Sequence, residues 1–361
     1  MKKLINVTQA IHPNRLKYIV KHLKLVNSHW YTNDGKYLKE LENRLREIWK
    51  VSNVVVMANG TLPLTFLMEQ LPKGSNVLTT PFSFVATASS IKAAGHNPIF
   101  VDLSQNEVHV DLNRLESEIV RSLPNAVLLT HVYGTLPDTD ALEKLSIKYQ
   151  IPIFYDASHS FGVNHNGRSA VSYGAASTIS FHATKIFSTV EGGALITNDN
   201  DLAEKARAWR NFGIEQGEIR GLGINAKMSE FHALFGLELL PSMEREISRR
   251  RKLMSLYQEI FSGPDTTVVA SPNGSYIPVI FKSEQDLLAM HSSLLKKGIV
   301  TRRYFYPSLD SLEFLQNSDS VPCTNSRNLA PRVLCMPIGK DVNRGVLERI
   351  RTSSRDRDQV E

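Results

Sequence analysis

Apolar residues recur along this chain with two different periods, and the two alternate. In YLKELENRLREIWKV (residues 37–51) they fall three and four apart, and Leu38, Leu41, Leu45 and Ile48 share one stripe. That spacing predicts a helix buried along the stripe. The following run, NVVVMANGT, is continuously apolar up to Asn59-Gly60-Thr61, and reads as a buried strand ending in a tight turn. LPLTFLMEQL then reads as a helix, with Pro63 tolerated in its first turn. Short apolar runs follow in series: NVLTTP, PIFVDL, AVLLTHVYG, IPIFYDAS, ASTISF and GALITND, most of them separated by helical stretches such as DTDALEKLSIKYQ. Strands alternating with helices predict an α/β fold with a large, mostly parallel sheet covered on both faces. Such sheets bind their ligands at the carboxyl ends of the strands.

The pattern changes after SEFHALFGLELLPSMEREISRRRKLMSLYQEIF, which predicts one long helix or two, broken near Pro241. Beyond it, SYIPVIFKSEQDLLAMHSSLLKKGIVTRRYFYP reads as strand, helix, strand. The expected division is a large domain over residues 1–245 and a smaller C-terminal α/β domain over 246–361. A chain of 361 residues can bury two such cores.

Composition narrows the class. With 42% hydrophobic and 22% charged residues the chain is an ordinary globular one. MKKLINVTQAIHPNRLKYIV carries no long apolar core or cleavage site, and no run approaches the roughly 20 apolar residues of a membrane helix. Cys323 and Cys335 have no C-x-x-C spacing, which fits a reduced cytoplasm and neither structural zinc nor a disulfide frame. A cytoplasmic protein without membrane or metal is expected. The net charge of +6 gathers in SRRRKL (248–253) and RIRTSSRDRDQ (349–359). Without interleaved aromatics or a recognition motif these read as solvated helix faces rather than a nucleic-acid surface. A positive field also suits a phosphorylated small substrate.

Two residues stand where chemistry is expected. Asp156 ends the apolar run of PIFYDASHSFG, at a strand's carboxyl end; it suits a ligand contact or a helix N-cap equally. Lys185 follows the run ASTISF. A buried lysine loses its proton more readily and becomes a nucleophile able to form a Schiff base, whereas a loop lysine on the surface does neither. Together with the Gly60-Thr61 turn, Ser180 and the aromatic of TTPFSFVAT, these are the parts of a pyridoxal phosphate site. The lysine holds the aldehyde, the acid keeps the pyridinium protonated, a helix N-terminus and hydroxyls hold phosphate, and an aromatic face covers the ring.

The segments VMANGTLPL, TTPFSFVATASSIKAAGHNPIFVDL, IFYDASHSFG and above all SFHATKIFSTVEGGALITND resemble the DegT/DnrJ/EryC1/StrS family of sugar-nucleotide aminotransferases, fold type I pyridoxal phosphate enzymes. TNDGKYLKELENRL, THVYGTLPDTDAL, ARAWRNFGI, INAKMSEFHALFGLELL and RRYFYPSLD extend the resemblance over most of the chain. It implies that Lys185 binds the cofactor aldehyde, that Asp156 pairs with the pyridine nitrogen, and that Phe84 stacks on the ring. It implies that Gly60, Thr61 and Ser180 hold the phosphate, joined by Asn225 from the neighbouring subunit of a homodimer with shared sites. His159 falls where many members have glutamine near the ring's 3-oxygen. His182, three residues before the lysine, either shapes the sugar pocket or fills space; Tyr306 is a candidate to border the sugar, and Lys227, Arg302 and Arg303 are by charge candidates for the diphosphate or solvated surface residues. Gly192-Gly193 is expected to let a strand pass close to the lysine loop.

The implied reaction moves an amino group from L-glutamate to a nucleotide-linked keto sugar. SFHATK and WYTNDG resemble members that aminate C4 of dTDP-4-keto-6-deoxyglucose for surface polysaccharides or glycosylated metabolites. A 3-keto acceptor and a catalytically silent binding protein are the alternatives. The sugar dehydratases of the fold carry histidine at the lysine position, which Lys185 argues against.

Overall fold

The structure, a computed structural model, describes residues 4–316 and 321–358, with side chains as far as 355. The end of the basic tail lies outside the described residues. Chain order gives β1 (Asn53–Met57), β2 (Asn76–Thr79), β3 (Asn97–Phe100), β4 (Ala126–Thr130) and β5 (Ile153–Asp156). A small hairpin of β6 (Asn164–His165) and β7 (Arg168–Ser169) precedes β8 (Ala176–Ser180) and β9 (Gly193–Thr197). Apart from that hairpin these form one seven-stranded sheet in the order β1-β9-β8-β5-β4-β2-β3. Its strands run parallel except β9, which is antiparallel to both neighbours. β9 returns directly from the lysine loop with no crossover helix, and a direct return imposes the antiparallel direction.

Both sheet faces are covered. Val54 and Val56 of β1 pack on one side with Leu38, Leu41 and Leu45, while Val55 and Met57 pack on the other with Phe66 and Leu67. The alternation follows from the two-residue period of a strand. The helix Lys36–Trp49 buries Leu38, Leu41, Leu45 and Trp49, whereas Ile48 is 49% exposed. The expected stripe is corrected at its last position. Trp49 lies four residues beyond Leu45, and its larger ring meets Phe161 edge-on at 6.0 Å.

Beyond a hairpin of β10 (Ile214–Glu215) and β11 (Glu218–Ile219), a helix Glu230–Leu239, a 3₁₀ turn Leu240–Ser242 and a helix Met243–Ile260 reproduce the break at Pro241. The remaining strands are β12 (Thr266–Val268), β13 (Ile277–Phe281), β14 (Arg302–Arg303) and β15 (Val333–Met336), an antiparallel sheet in the order β12-β13-β15-β14. Helices Glu284–Lys296 and Arg344–Asp358 cover it through Leu287, Met290, Leu294, Val346 and Ile350. The helix Met243–Ile260 serves both cores: Ile247 packs with the large sheet, and Leu253, Met254 and Tyr257 with the small one. Ile5 exchanges backbone bonds with Gly298 and Val300, so the first described residues sit on the small sheet's side.

The SRRRKL run is a solvated face only in part: Ser248, Arg251 and Lys252 are exposed, while Arg249 and Arg250 turn inward. Arg250 is 1% exposed and donates to Glu246 and to the Gly274 carbonyl; Arg249 donates to Glu246 and the Ile338 carbonyl. The helix runs between the two cores, so Arg249 and Arg250 meet protein where an outer helix would meet water. Charge-assisted bonds compensate their lost hydration.

Candidate active site

One cavity opens where β4, β5 and β8 end and where the turn after β1 begins. Arg302, Tyr304 and Phe305 close it from the small sheet. Gly60, Thr61, Phe84, Asp156, His159, Ser180, His182 and Lys185 all line it.

Asp156 is the last residue of β5 and 4% exposed. Its Oδ2 accepts from Thr87 Oγ1 at 2.8 Å, and its Oδ1 from the Ser158 N–H at 3.1 Å. Ser83 Oγ lies 2.8 Å from Thr87 Oγ1 and 2.7 Å from Thr130 Oγ1, so a chain of hydroxyls backs the carboxylate. The N-cap alternative fails, because Asp156 opens no helix. A carboxylate buried at this depth keeps its orientation only because those hydroxyls and the Ser158 N–H hold it.

Lys185 sits on the loop between β8 and β9, its N–H bonded to the His182 carbonyl. Among the described residues its Nζ has no hydrogen bond or ion pair. Burial brings its pKa down from 10.5 to about 8; the Asp156 carboxylate opposes that fall and the Arg302 guanidinium adds to it. Roughly a tenth to a fifth of the amine is therefore neutral near physiological pH, far more than in a solvated lysine.

His159 is buried, and burial first, then the charges of Lys185 and Arg302, hold its pKa well below 6.5. Its ring is neutral. Nδ1 accepts the Tyr133 N–H at 3.1 Å, which assigns the proton to Nε2. Among the described residues that Nε2–H has no partner, so the site holds one unspent buried donor. Stacking on Tyr133 and Phe305 fixes the ring plane.

The turn before the helix Thr61–Glu69 is shaped by close approach. A Cβ on Gly60 would lie 2.7 Å from Ser180 Cβ, so only glycine lets this turn and the end of β8 share a cradle. Asn59 Oδ1 accepts the N–H groups of Thr61 and Leu62, both at 3.0 Å. The expected role of the glycine pair divides in two. A Cβ on Gly192 would strike Thr189 of the lysine loop, while one on Gly193 would strike the Asn59-Gly60 turn. Phe84 is 45% exposed, and its ring is 6.1 Å from that of Tyr304. His182 accepts the Thr184 N–H on Nδ1 and turns Nε2 to within 3.5 Å of Glu191.

Asn225, Lys227 and Tyr306 do not line this cavity. Asn225 is exposed and bridges to Asn211 through its backbone. Lys227 donates to Asn211 Oδ1 at 2.9 Å and lies over the Phe212 ring. Tyr306 lies beneath the Arg303 guanidinium; the aromatics of its segment that reach the cavity are Tyr304 and Phe305. Arg302 reaches the cavity and Arg303 does not. Sequence reasoning missed Ser83, Thr87, Thr130, Thr184 and Glu191. An acid beside a glycine pair was a visible signal for Glu191; the hydroxyls carry none, since serines and threonines of that kind are common.

These groups fit pyridoxal phosphate on two observations of the structure. The orphaned His159 Nε2–H is a donor awaiting an acceptor, and the Gly60–Ser180 cradle would be filled by any Cβ. The nucleophilic lysine and the buried acid complete the set that this cofactor needs.

Fold and site together define a pyridoxal phosphate-dependent aminotransferase. The chain belongs to the DegT/DnrJ/EryC1/StrS aminotransferase family, whose family model matches residues 14–354. It is 34% identical to a dTDP-4-amino-4,6-dideoxy-D-glucose transaminase of Shigella dysenteriae, over 99% of this chain and 100% of the relative. An Escherichia coli transaminase of the same name is 32% identical over 96% of this chain and 97% of its own. Among solved structures, DesI in the presence of its TDP-sugar product superposes with a TM-score of 0.91 at 28% identity, covering 100% of this chain and 95% of that one.

Proposed function

We propose that this aminotransferase transfers the amino group of L-glutamate to dTDP-4-keto-6-deoxyglucose, giving dTDP-4-amino-4,6-dideoxyglucose and 2-oxoglutarate. The observation that carries the reading is end-to-end similarity to transaminases of that sugar, on a chain whose Lys185 and Asp156 share one cavity.

Bound pyridoxal phosphate supplies a ring that accepts the electrons left on a substrate carbon when its proton departs. The chain's residues do the rest. Asp156 accepts the pyridine N–H and is kept in place by Thr87 and the Ser158 N–H. His159 Nε2–H donates to the ring's 3-oxygen, filling the role that glutamine has in many members. Gly60, Thr61 and Ser180 bind the phosphate, and Phe84 covers a ring face. Lys185 Nζ takes the proton from the donor's α-carbon and, in the second half of the cycle, delivers one to C4 of the sugar. His182, hydrogen-bonded within its own loop and facing Glu191, borders the sugar.

The test is product structure. With L-glutamate and dTDP-4-keto-6-deoxyglucose, NMR of the product is expected to show the amine on C4. An amine on C3, or activity only between free amino acids and keto acids, rejects the acceptor while leaving the cofactor chemistry intact. Protein that stays colourless with added pyridoxal phosphate rejects catalysis and favours a silent binding protein. Within this reading the enzyme works in the cytoplasm, in keeping with the free thiols of Cys323 and Cys335, and its product feeds a surface polysaccharide such as O-antigen or a glycosylated metabolite.

The same reading makes the active unit a homodimer with shared sites. Asn225 and Lys227 stand outside their own chain's cavity, beside exposed apolar side chains: Phe212, Ile219, Leu222 and Ile224. Exposed apolar groups of that size suit an interface between copies. Asn225 then reaches the phosphate of the neighbouring site, and Lys227 lies near its substrate. Lys185→Ala and Asn225→Asp chains are each expected to be severely inactive. Equal mixing with subunit exchange should restore about one quarter of wild-type activity, because half the dimers are hybrids with one intact site in two. No recovery despite confirmed exchange would count against sharing.

A further inference from the structure

The loop between β12 and β13 does not line the cavity, but it holds a residue that does. Ser271, Asn273 and Ser275 of that loop are all buried. Asn273 Nδ2 donates to the carbonyls of His159 and Phe161, each at 2.8 Å. Asn273 Oδ1 accepts the Ser275 N–H at 2.9 Å. These partners assign the amide's orientation, since a flipped amide would set its oxygen against two carbonyls. Ser275 Oγ lies 2.6 Å from the His159 carbonyl, and Ser271 Oγ donates to the Tyr133 carbonyl at 2.7 Å. Among the described residues no backbone N–H reaches the His159 or Phe161 carbonyl. The loop's side chains therefore supply the partners that a helix or strand would give.

The Tyr133 N–H is the group that holds His159 Nδ1. One loop thus fixes both attachments of the His159 ring: its own backbone through Asn273 and Ser275, and the backbone of Tyr133 through Ser271. Little slack separates them. A Cβ on Gly134 would lie 2.8 Å from the His159 carbonyl and 3.2 Å from Asn273 Oδ1. The loop is anchored in turn by the helix Met243–Ile260, where Arg250 donates to the Gly274 carbonyl and Arg251 to the Pro272 carbonyl. We propose that Asn273 is a positioning residue that aims His159 Nε2–H at the 3-oxygen of the bound cofactor. The inference rests on the proposed contact of His159 with that oxygen. An imidazole with Nδ1 already occupied donates in one direction only, and that direction moves with its backbone. A hydrogen bond to the 3-oxygen favours the oxygen's anionic form, so the aim of this donor sets the pH at which the lysine-bound cofactor loses its proton.

The test reads that pH from cofactor absorbance in enzyme loaded with pyridoxal phosphate, with a thermal melt of each protein in parallel. Wild type is compared with Asn273→Ala, Ser275→Ala, His159→Phe and the Asn273→Ala/His159→Phe double variant. His159→Phe removes the donor and is expected to raise the midpoint by about one unit, as loss of one hydrogen bond to a charged oxygen implies. Asn273→Ala should raise it by about half a unit or more, and should add nothing once His159 is already Phe. Ser275→Ala loses a single hydroxyl and should shift the midpoint the same way by less. An earlier melt with an unmoved midpoint in Asn273→Ala makes the asparagine structural only and overturns the proposal. So does a shift that persists undiminished on the His159→Phe background. If Asn273→Ala does not fold, Ser275→Ala decides, and an unmoved midpoint there overturns the proposal. If His159→Phe itself leaves the midpoint in place, the 3-oxygen contact fails as a reading and the role of Asn273 falls with it. An additive Asn273 effect beside an effective His159→Phe refutes the positioning alone. None of these outcomes depends on which sugar the enzyme aminates.

Discussion

Lys185→Ala is expected to abolish steady turnover, with a fall of at least about 1,000-fold, equivalent to about 4 kcal/mol of transition-state stabilisation. The lysine does two things that alanine cannot. In the proposed mechanism it binds the cofactor aldehyde covalently at rest and carries the proton between carbon atoms during the reaction. Borohydride should fix cofactor to the wild-type chain and leave the alanine variant unlabelled. Attachment requires the neutral amine. Because burial brings the Lys185 pKa to about 8, covalent attachment to cofactor-free protein should quicken as pH rises through 8 and level off above it, well below the 10.5 of a solvated lysine. A variant that turns over normally, or attachment that keeps accelerating toward pH 10, would sink the assignment.

Asp156→Asn should lower activity by more than about 100-fold, about 3 kcal/mol, while the cofactor still binds. The amide matches the carboxylate in shape but brings no negative charge to the pyridine nitrogen. The ring then loses its proton and accepts electrons poorly. The surrounding bonds make this substitution informative. With the amide oxygen at the Oδ1 position the Ser158 N–H still donates to it, and the NH₂ at the Oδ2 position donates to Thr87 Oγ1, whose own hydroxyl hydrogen can turn to Ser83. The fold is therefore expected to survive, which a thermal melt would check. Activity within a few-fold of wild type would reduce Asp156 to a structural acid.

Much of the large domain was legible because its strands are buried on both faces and read as unbroken apolar runs between amphipathic helices. Each run named from the sequence became a strand of the seven-stranded sheet. Ile48 and Trp49 show the limit of periodicity: spacings of three and four both satisfy a helix, and packing against Phe161 decided between them. β12 and β15 were not foreseen; β12 has three residues, two of them threonines, too few periods to distinguish strand from loop.

The sequence by itself determined the chemistry: a lysine after one strand, an acid at the end of another, and a glycine turn opening a helix, all on segments specific enough to imply a family. Local sequence can do this because strand ends in a parallel sheet converge on one edge. Tertiary structure decided what is distant along the chain. It set Thr87, Ser83 and Thr130 behind Asp156, left His159 with its proton on Nε2, and separated Arg302 from Arg303. It also left Asn225, Lys227 and Tyr306 outside the cavity of their own chain. Hydrogen-bond partners, tautomers and desolvation depend on which surfaces meet after folding, and one-dimensional spacing holds no record of them.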